Sequence, residues 1–122
     1  MLKFIRFVLN RIKAVKYAAN GFWMLISSEP SIIAQMVIAT AVTIFGFFIG
    51  LTQTEWLFQT MAIGLVLTAE SLNTAIENVA DFVHPEYHKK IGIIKDVAAG
   101  AAFFAALFAI IIGLIIYIPK FI

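Results

Sequence analysis

Two runs of this chain carry no charged residue: 32–51, twenty residues long, and 97–118, twenty-two residues long. As helices rising ~1.5 Å per residue, each is long enough to cross the ~30 Å hydrocarbon layer of a bilayer. A third segment starts at Trp56, stays apolar to Ala69 and continues in helical register to Val83. With 62% of the 122 residues hydrophobic, against about half in a soluble domain, the chain reads as an integral membrane protein. The expected architecture is all-α and forms one unit, residues 1–122. An amphipathic surface helix over 1–26 precedes transmembrane helices at 30–51, 56–83 and 97–118.

The surface helix is read from the first twenty residues, where Lys3, Arg6, Arg11, Lys13 and Lys16 bring five positive charges and no negative one. Phe4, Phe7, Val8, Ile12 and Val15 fill the positions between them at helical spacing. Such a helix lies in the headgroup layer, with its cations toward anionic lipid. No other part of the chain is notably basic, which argues against a nucleic-acid partner. No compact apolar region followed by a small-residue cleavage site is found near the start, so no removable signal peptide is expected. The absence of cysteine excludes disulfides and thiolate metal sites. Ser27 or Ser28 is the expected N-cap of the first span, with Pro30 in its first turn. Gly46, Gly50 and the small residues from Ala98 to Ala102 are expected contact points between helices.

Residues 84–96 are polar, contain Pro85 and Gly92, and are expected to form a loop. That loop holds Lys89, Lys90 and Lys95, whereas residues 52–55 contain no Lys or Arg. The positive-inside rule then puts the N-terminus and the 84–96 loop in the cytoplasm of a multi-pass protein of the bacterial inner membrane. Glu29, Glu77 and Asp81 are thereby expected in one cytoplasmic layer.

The third segment departs from lipid chemistry at Glu70, Asn73, Glu77 and Asp81. Their spacings of three, four and four place them on one stripe of a helix. A carboxylate in hydrocarbon costs at least ~2.5–3.5 kcal/mol on the lenient insertion scale, so such a stripe implies a cation, a proton or a partner helix. Carboxylates beside lysines at a membrane surface suit Mg²⁺ and a nucleotide polyphosphate, and phosphoryl transfer depends chiefly on positioning and electrostatics. Glu70 lies two turns deeper than Glu77, where a general base would meet a substrate hydroxyl at the membrane edge. No phosphate-binding loop of the G-x-x-x-x-G-K-[ST] type is present.

The run E-S-L-N-T-A-I-E-N-V-A-D from Glu70 to Asp81 is followed by E-Y-H at 86–88 and K-D at 95–96. Together these motifs resemble the small bacterial diacylglycerol kinase family, which includes undecaprenol kinases, and the resemblance covers nearly the whole chain. It implies a homotrimeric lipid kinase with active sites shared between subunits, using ATP with Mg²⁺. By this resemblance Glu70 is the catalytic base, and Asn73 orients substrate or phosphate. Glu29 and Glu77 bind the metal with the nucleotide. Lys13, Tyr17, Glu86, Tyr87, His88, Lys95 and Asp96 contact the nucleotide. The sequence departs from the family pattern at Asn10, where an Arg is common three residues before Lys13; Arg11 stands beside it. The lipid implied is diacylglycerol or undecaprenol, and the K-D-V-A-A-G-A run at 95–101 is more similar to the undecaprenol branch.

Plainer readings compete at single residues. Glu29 is also what a helix N-terminus favours, and Asp81 suits a solvated helix end. His84 and His88 are four apart, yet Pro85 intervenes and no third metal ligand is evident. For the whole chain, a proton- or cation-coupled transporter or channel would also use intramembrane Glu and Asn. It would have no need of the E-Y-H and K-D motifs. A structural subunit of a larger complex would show no ATP turnover.

Overall fold

The computed structural model describes all of residues 1–122 as four helices without a strand: α1 Leu2–Ser28, α2 Pro30–Ile49, α3 Gln53–Val83 and α4 Lys89–Phe121. Two of them, α2 and α4, are long and apolar enough to cross a bilayer. Helix α3 is long enough at 31 residues, but its second half carries the acidic stripe.

Helix α1 has no buried residue and meets the rest of the chain chiefly through α2. The break after it comes from Pro30, whose ring pushes the preceding residue out of helical conformation. Glu29 is accordingly extended, at φ −90° and ψ 113°, and Pro30 takes the first helical position, where its missing N–H costs nothing. The expected serine cap does not form. Ser27 and Ser28 are still helical, and their hydroxyls donate back to the carbonyls of Trp23 and Met24, a local bond that competes with capping.

Helix α2 ends at Gly50, whose φ of 78° supplies the left-handed cap that turns the chain. Gly46 serves a different purpose. A Cβ there would lie 2.8 Å from the Trp56 ring, so the glycine lets the start of α3 pack against the end of α2. Thr52 caps α3 in a reciprocal pair with Glu55: the Glu55 N–H donates to Thr52 Oγ1 at 3.2 Å, and the Thr52 N–H donates to Glu55 Oε1 at 2.9 Å.

The most extensive contact joins α3 to α4. Ala98, Ala102 and Ala105 of α4 are buried at spacings of four and three, opposite a buried face of α3 that includes Ala62, Val66, Thr74 and Ala80. Side chains this small let the two backbones approach closely, which is how helices associate in lipid. Gly100 takes no part, since the space around it is open. Only 12 of 122 residues are buried, while large apolar side chains such as Phe47, Phe48 and Phe103 point outward. This surface is built for hydrocarbon or for other copies of the chain rather than for water.

The segment expected as a loop over 84–96 is mostly helix. Only residues 84–88 are irregular, and α4 starts at Lys89. His88 makes this possible, because its Nδ1 accepts from the Lys90 N–H at 3.0 Å and caps the helix. Gly92 is tolerated within the first turns, lying against the ring of Tyr87. The helix therefore begins eight residues before the uncharged run and carries Lys95 and Asp96 as ordered helical positions.

Candidate functional site

The site is built on α3. Glu70, Asn73 and Glu77 are half-buried on one stripe, and Asp81 at its end is exposed. Asn73 Nδ2 donates to Glu77 Oε1 at 3.5 Å, and the Asn73 Oδ1 is buried without a donor. An acceptor withheld from water and left unpaired is costly. Glu70 has no ion-pair partner. By helical rise it sits ~10 Å from Glu77 along the axis.

One turn past Glu77, Asp81 pairs with Lys95 of α4, Nζ to Oδ1 at 2.5 Å. Lys95 is fixed by the helix start at Lys89, which places its ammonium at the end of the acidic stripe. Asp96 next to it is exposed. In the connection, Glu86 is exposed and Tyr87 almost fully so. His84 Nδ1 bonds the Glu86 carbonyl at 2.7 Å and its ring meets His88 edge-on at 5.5 Å between centroids. These two imidazoles thus serve the turn and the cap of α4.

Lys13 and Tyr17 are exposed on α1, and Glu29 is half-buried at the α1–α2 junction. The structure also separates Asn10 from Arg11. Asn10 shares the face of Lys13 and Tyr17 by its spacing of three and seven residues. Arg11 turns about 100° away and lies over the Phe7 ring at 5.5 Å. No three His, Asp or Glu side chains of the chain gather into a metal-holding group, and no hydrogen bond or ion pair links Glu29 at the α1–α2 junction to Glu77 on α3. The Glu77 carboxylate, beside the Asn73 amide, has the oxygen chemistry that suits a hard cation.

A polar pair that sequence reasoning missed lies at the other end of α3. Gln59 is 5% exposed, and the Tyr117 hydroxyl donates to its Oε1 at 2.5 Å. The same hydroxyl lies 3.5 Å from the Val42 carbonyl, and Gln59 Nε2 has no partner. One signal was available: Gln59 lies eleven residues before Glu70, three helical turns, and so on the same stripe. Nearby, Lys120 closes on Glu55 at 3.0 Å.

The family profile described as prokaryotic diacylglycerol kinase matches residues 16–117. The chain belongs to that family. It is 37% identical to an undecaprenol kinase of Bacillus subtilis over 92% of each chain. It is 29% identical to a diacylglycerol kinase of Haemophilus influenzae, over 77% of this chain and 80% of that one. A diacylglycerol kinase of Synechocystis is 46% identical across 45% of this chain and 32% of its own length. The membrane helices and the acidic stripe thus belong to a lipid kinase of the diacylglycerol and undecaprenol kinase type.

Proposed function

We propose that the chain transfers the γ-phosphoryl group of ATP to the hydroxyl of undecaprenol, with diacylglycerol as the alternative acceptor. The observation that carries this reading is the half-buried stripe of Glu70, Asn73 and Glu77, unneutralised within the chain and set on a helix flanked by two apolar spans. The preference for undecaprenol rests on similarity to the Bacillus subtilis enzyme across nearly the whole chain. In this reading α3 is the third membrane-crossing helix. The N-terminus and the α3–α4 connection face the cytoplasm of the bacterial inner membrane, and three copies assemble to complete each site.

Glu70 accepts the proton of the lipid hydroxyl as its oxygen attacks the γ-phosphorus. The bond from that phosphorus to the bridging oxygen of ADP breaks, and Glu70 later passes its proton to water. Mg²⁺ bound with ATP would neutralise phosphate charge; Glu77 and Glu29 would hold it, and Asn73, hydrogen-bonded to Glu77, would orient substrate or phosphate. Lys95, held by Asp81, offsets charge on the polyphosphate. Lys13 and Tyr17 on α1, with Glu86, Tyr87, His88 and Asp96, bound the nucleotide.

The test is transfer of labelled phosphate from Mg-ATP by purified protein in detergent, with undecaprenol and diacylglycerol offered separately. Label in undecaprenol supports the proposal. Label only in diacylglycerol overturns the choice of lipid, and no label in either from folded protein overturns the reaction.

A further inference from the structure

The first two turns of α4 make a poor helix start by sequence. Lys89 and Lys90 put positive charge where the helix dipole is already positive, and the first turn holds no acidic residue. Ile91, Ile93 and Ile94 are β-branched, and Gly92 is the weakest helix former after proline. Packing does not hold these turns either, since no residue of α4 before Ala98 is buried. What begins the helix is His88. Its backbone is extended, at φ −143° and ψ 141°, and its carbonyl accepts the first helical bond, from the Gly92 N–H at 2.9 Å. Its Nδ1 accepts from the Lys90 N–H at 3.0 Å. That N–H can only donate, so the imidazole serves as an acceptor, as a serine or asparagine oxygen does at other helix starts. Tyr87, one residue earlier, lies against Gly92, its ring 3.6 Å from where a Cβ there would sit. This is the place of the apolar contact that fixes a chain's entry into a helix.

We infer that His88 serves the nucleotide site as a positioning residue: by capping α4 it holds Lys95 at Asp81, where the ammonium meets the polyphosphate. The inference rests on the function proposed above and adds how His88 acts in it. Lys95 lies seven residues beyond His88, ~10 Å along the axis and on the same face of α4. When the turns between them fray, only the ion pair with Asp81 is left to hold the ammonium at the end of the acidic stripe. With its partners 38% and 57% exposed, that pair is too weak to order two turns of helix by itself. The E-Y-H motif thus has a task inside the chain, with Tyr87 against Gly92 and His88 on the Lys90 N–H.

The experiment compares wild type with His88→Ser and His88→Asn, which are capping residues, and with His88→Ala and His88→Gln, which are not. Glutamine keeps a polar side chain long enough to reach a nucleotide, so it separates capping from contact. The proteins, purified in detergent, are read in three ways. These are the Kd for Mg-ATP by equilibrium binding, KM and kcat in labelled-phosphate transfer, and hydrogen exchange of amides 89–96 without nucleotide. His88→Ala and His88→Gln are expected to raise Kd and KM about fivefold, the weight of a typical lost cap, with kcat within about twofold and faster exchange over 89–96. His88→Ser and His88→Asn should recover most of the affinity and of the protection. In a Lys95→Met background, His88→Ala should weaken Mg-ATP binding by less than about twofold, because the group it positions is gone. Losses in His88→Ser and His88→Asn as large as in His88→Ala overturn the inference and leave the ring a nucleotide contact. So do wild-type binding by His88→Ala, or effects of His88→Ala and Lys95→Met that add in full. The expected pattern in Kd and exchange, from wild type that transfers no phosphate, sustains the positioning role while the proposed reaction fails. Wild type that binds no Mg-ATP overturns both.

Discussion

The two ends of the α3–α4 pair use the same residue types to opposite effect. At the Glu55 end, one carboxylate is fully engaged: it accepts from the Thr52 N–H, caps α3 and pairs with Lys120. The Thr52 hydrogen bond, followed by Lys120, holds the Glu55 carboxyl below its usual range. At the Glu70 end, only Asp81 finds a lysine, Asn73 Oδ1 has no donor, and Glu70 has no ion-pair partner. Charges satisfied within the chain stabilise it. Charges left for something outside the chain mark where it acts.

The contrast can be broken at four points. Glu70→Gln removes the proposed base while keeping its shape, and should cut phosphoryl transfer by about 10²–10⁴-fold with no loss of thermal stability. A variant that is inactive because it unfolds would erase the distinction between the two ends. Glu77→Gln removes the charge of the proposed metal ligand while keeping an oxygen that can still accept from Asn73; the KM for Mg-ATP should rise about tenfold or more, as for loss of a metal-site contact, and excess Mg²⁺ should restore part of the rate. Asp81→Asn releases Lys95. As an exposed pair it should cost about 0.2–1 kcal/mol in denaturant unfolding, with a weaker KM for ATP as the sharper readout. Glu55→Gln should leave turnover unchanged and lower the melting temperature at neutral pH. Because the folded carboxyl titrates below its unfolded value, this stabilisation is complete above the unfolded pKa of about 4.3 and disappears as pH falls through the folded value. Melting curves of wild type and Glu55→Gln should therefore converge in acid.

What the sequence made legible was whatever rests on a local period. The uncharged runs marked α2 and most of α4, and spacings of three and four put Glu70, Asn73 and Glu77 on one stripe before any coordinates. The first turns of α4 were misread because Lys89 to Asp96 is polar and contains Gly92, while the cap that starts the helix is a histidine side chain, His88. The serines before Pro30 were misread because a hydroxyl bonding its own helix competes with one capping the next. Gln59 and Tyr117 were invisible as a pair, since their contact spans 58 positions and no local pattern encodes which polar residues meet across helices.

The most direct test sets Glu70→Gln beside Glu55→Gln, measuring labelled-phosphate transfer to undecaprenol and thermal unfolding on the same preparations. Glu70→Gln should be inactive and as stable as wild type; Glu55→Gln should be active and less stable. Full transfer by Glu70→Gln, or a loss of transfer in Glu55→Gln matching that in Glu70→Gln, would contradict the division of labour between the two ends.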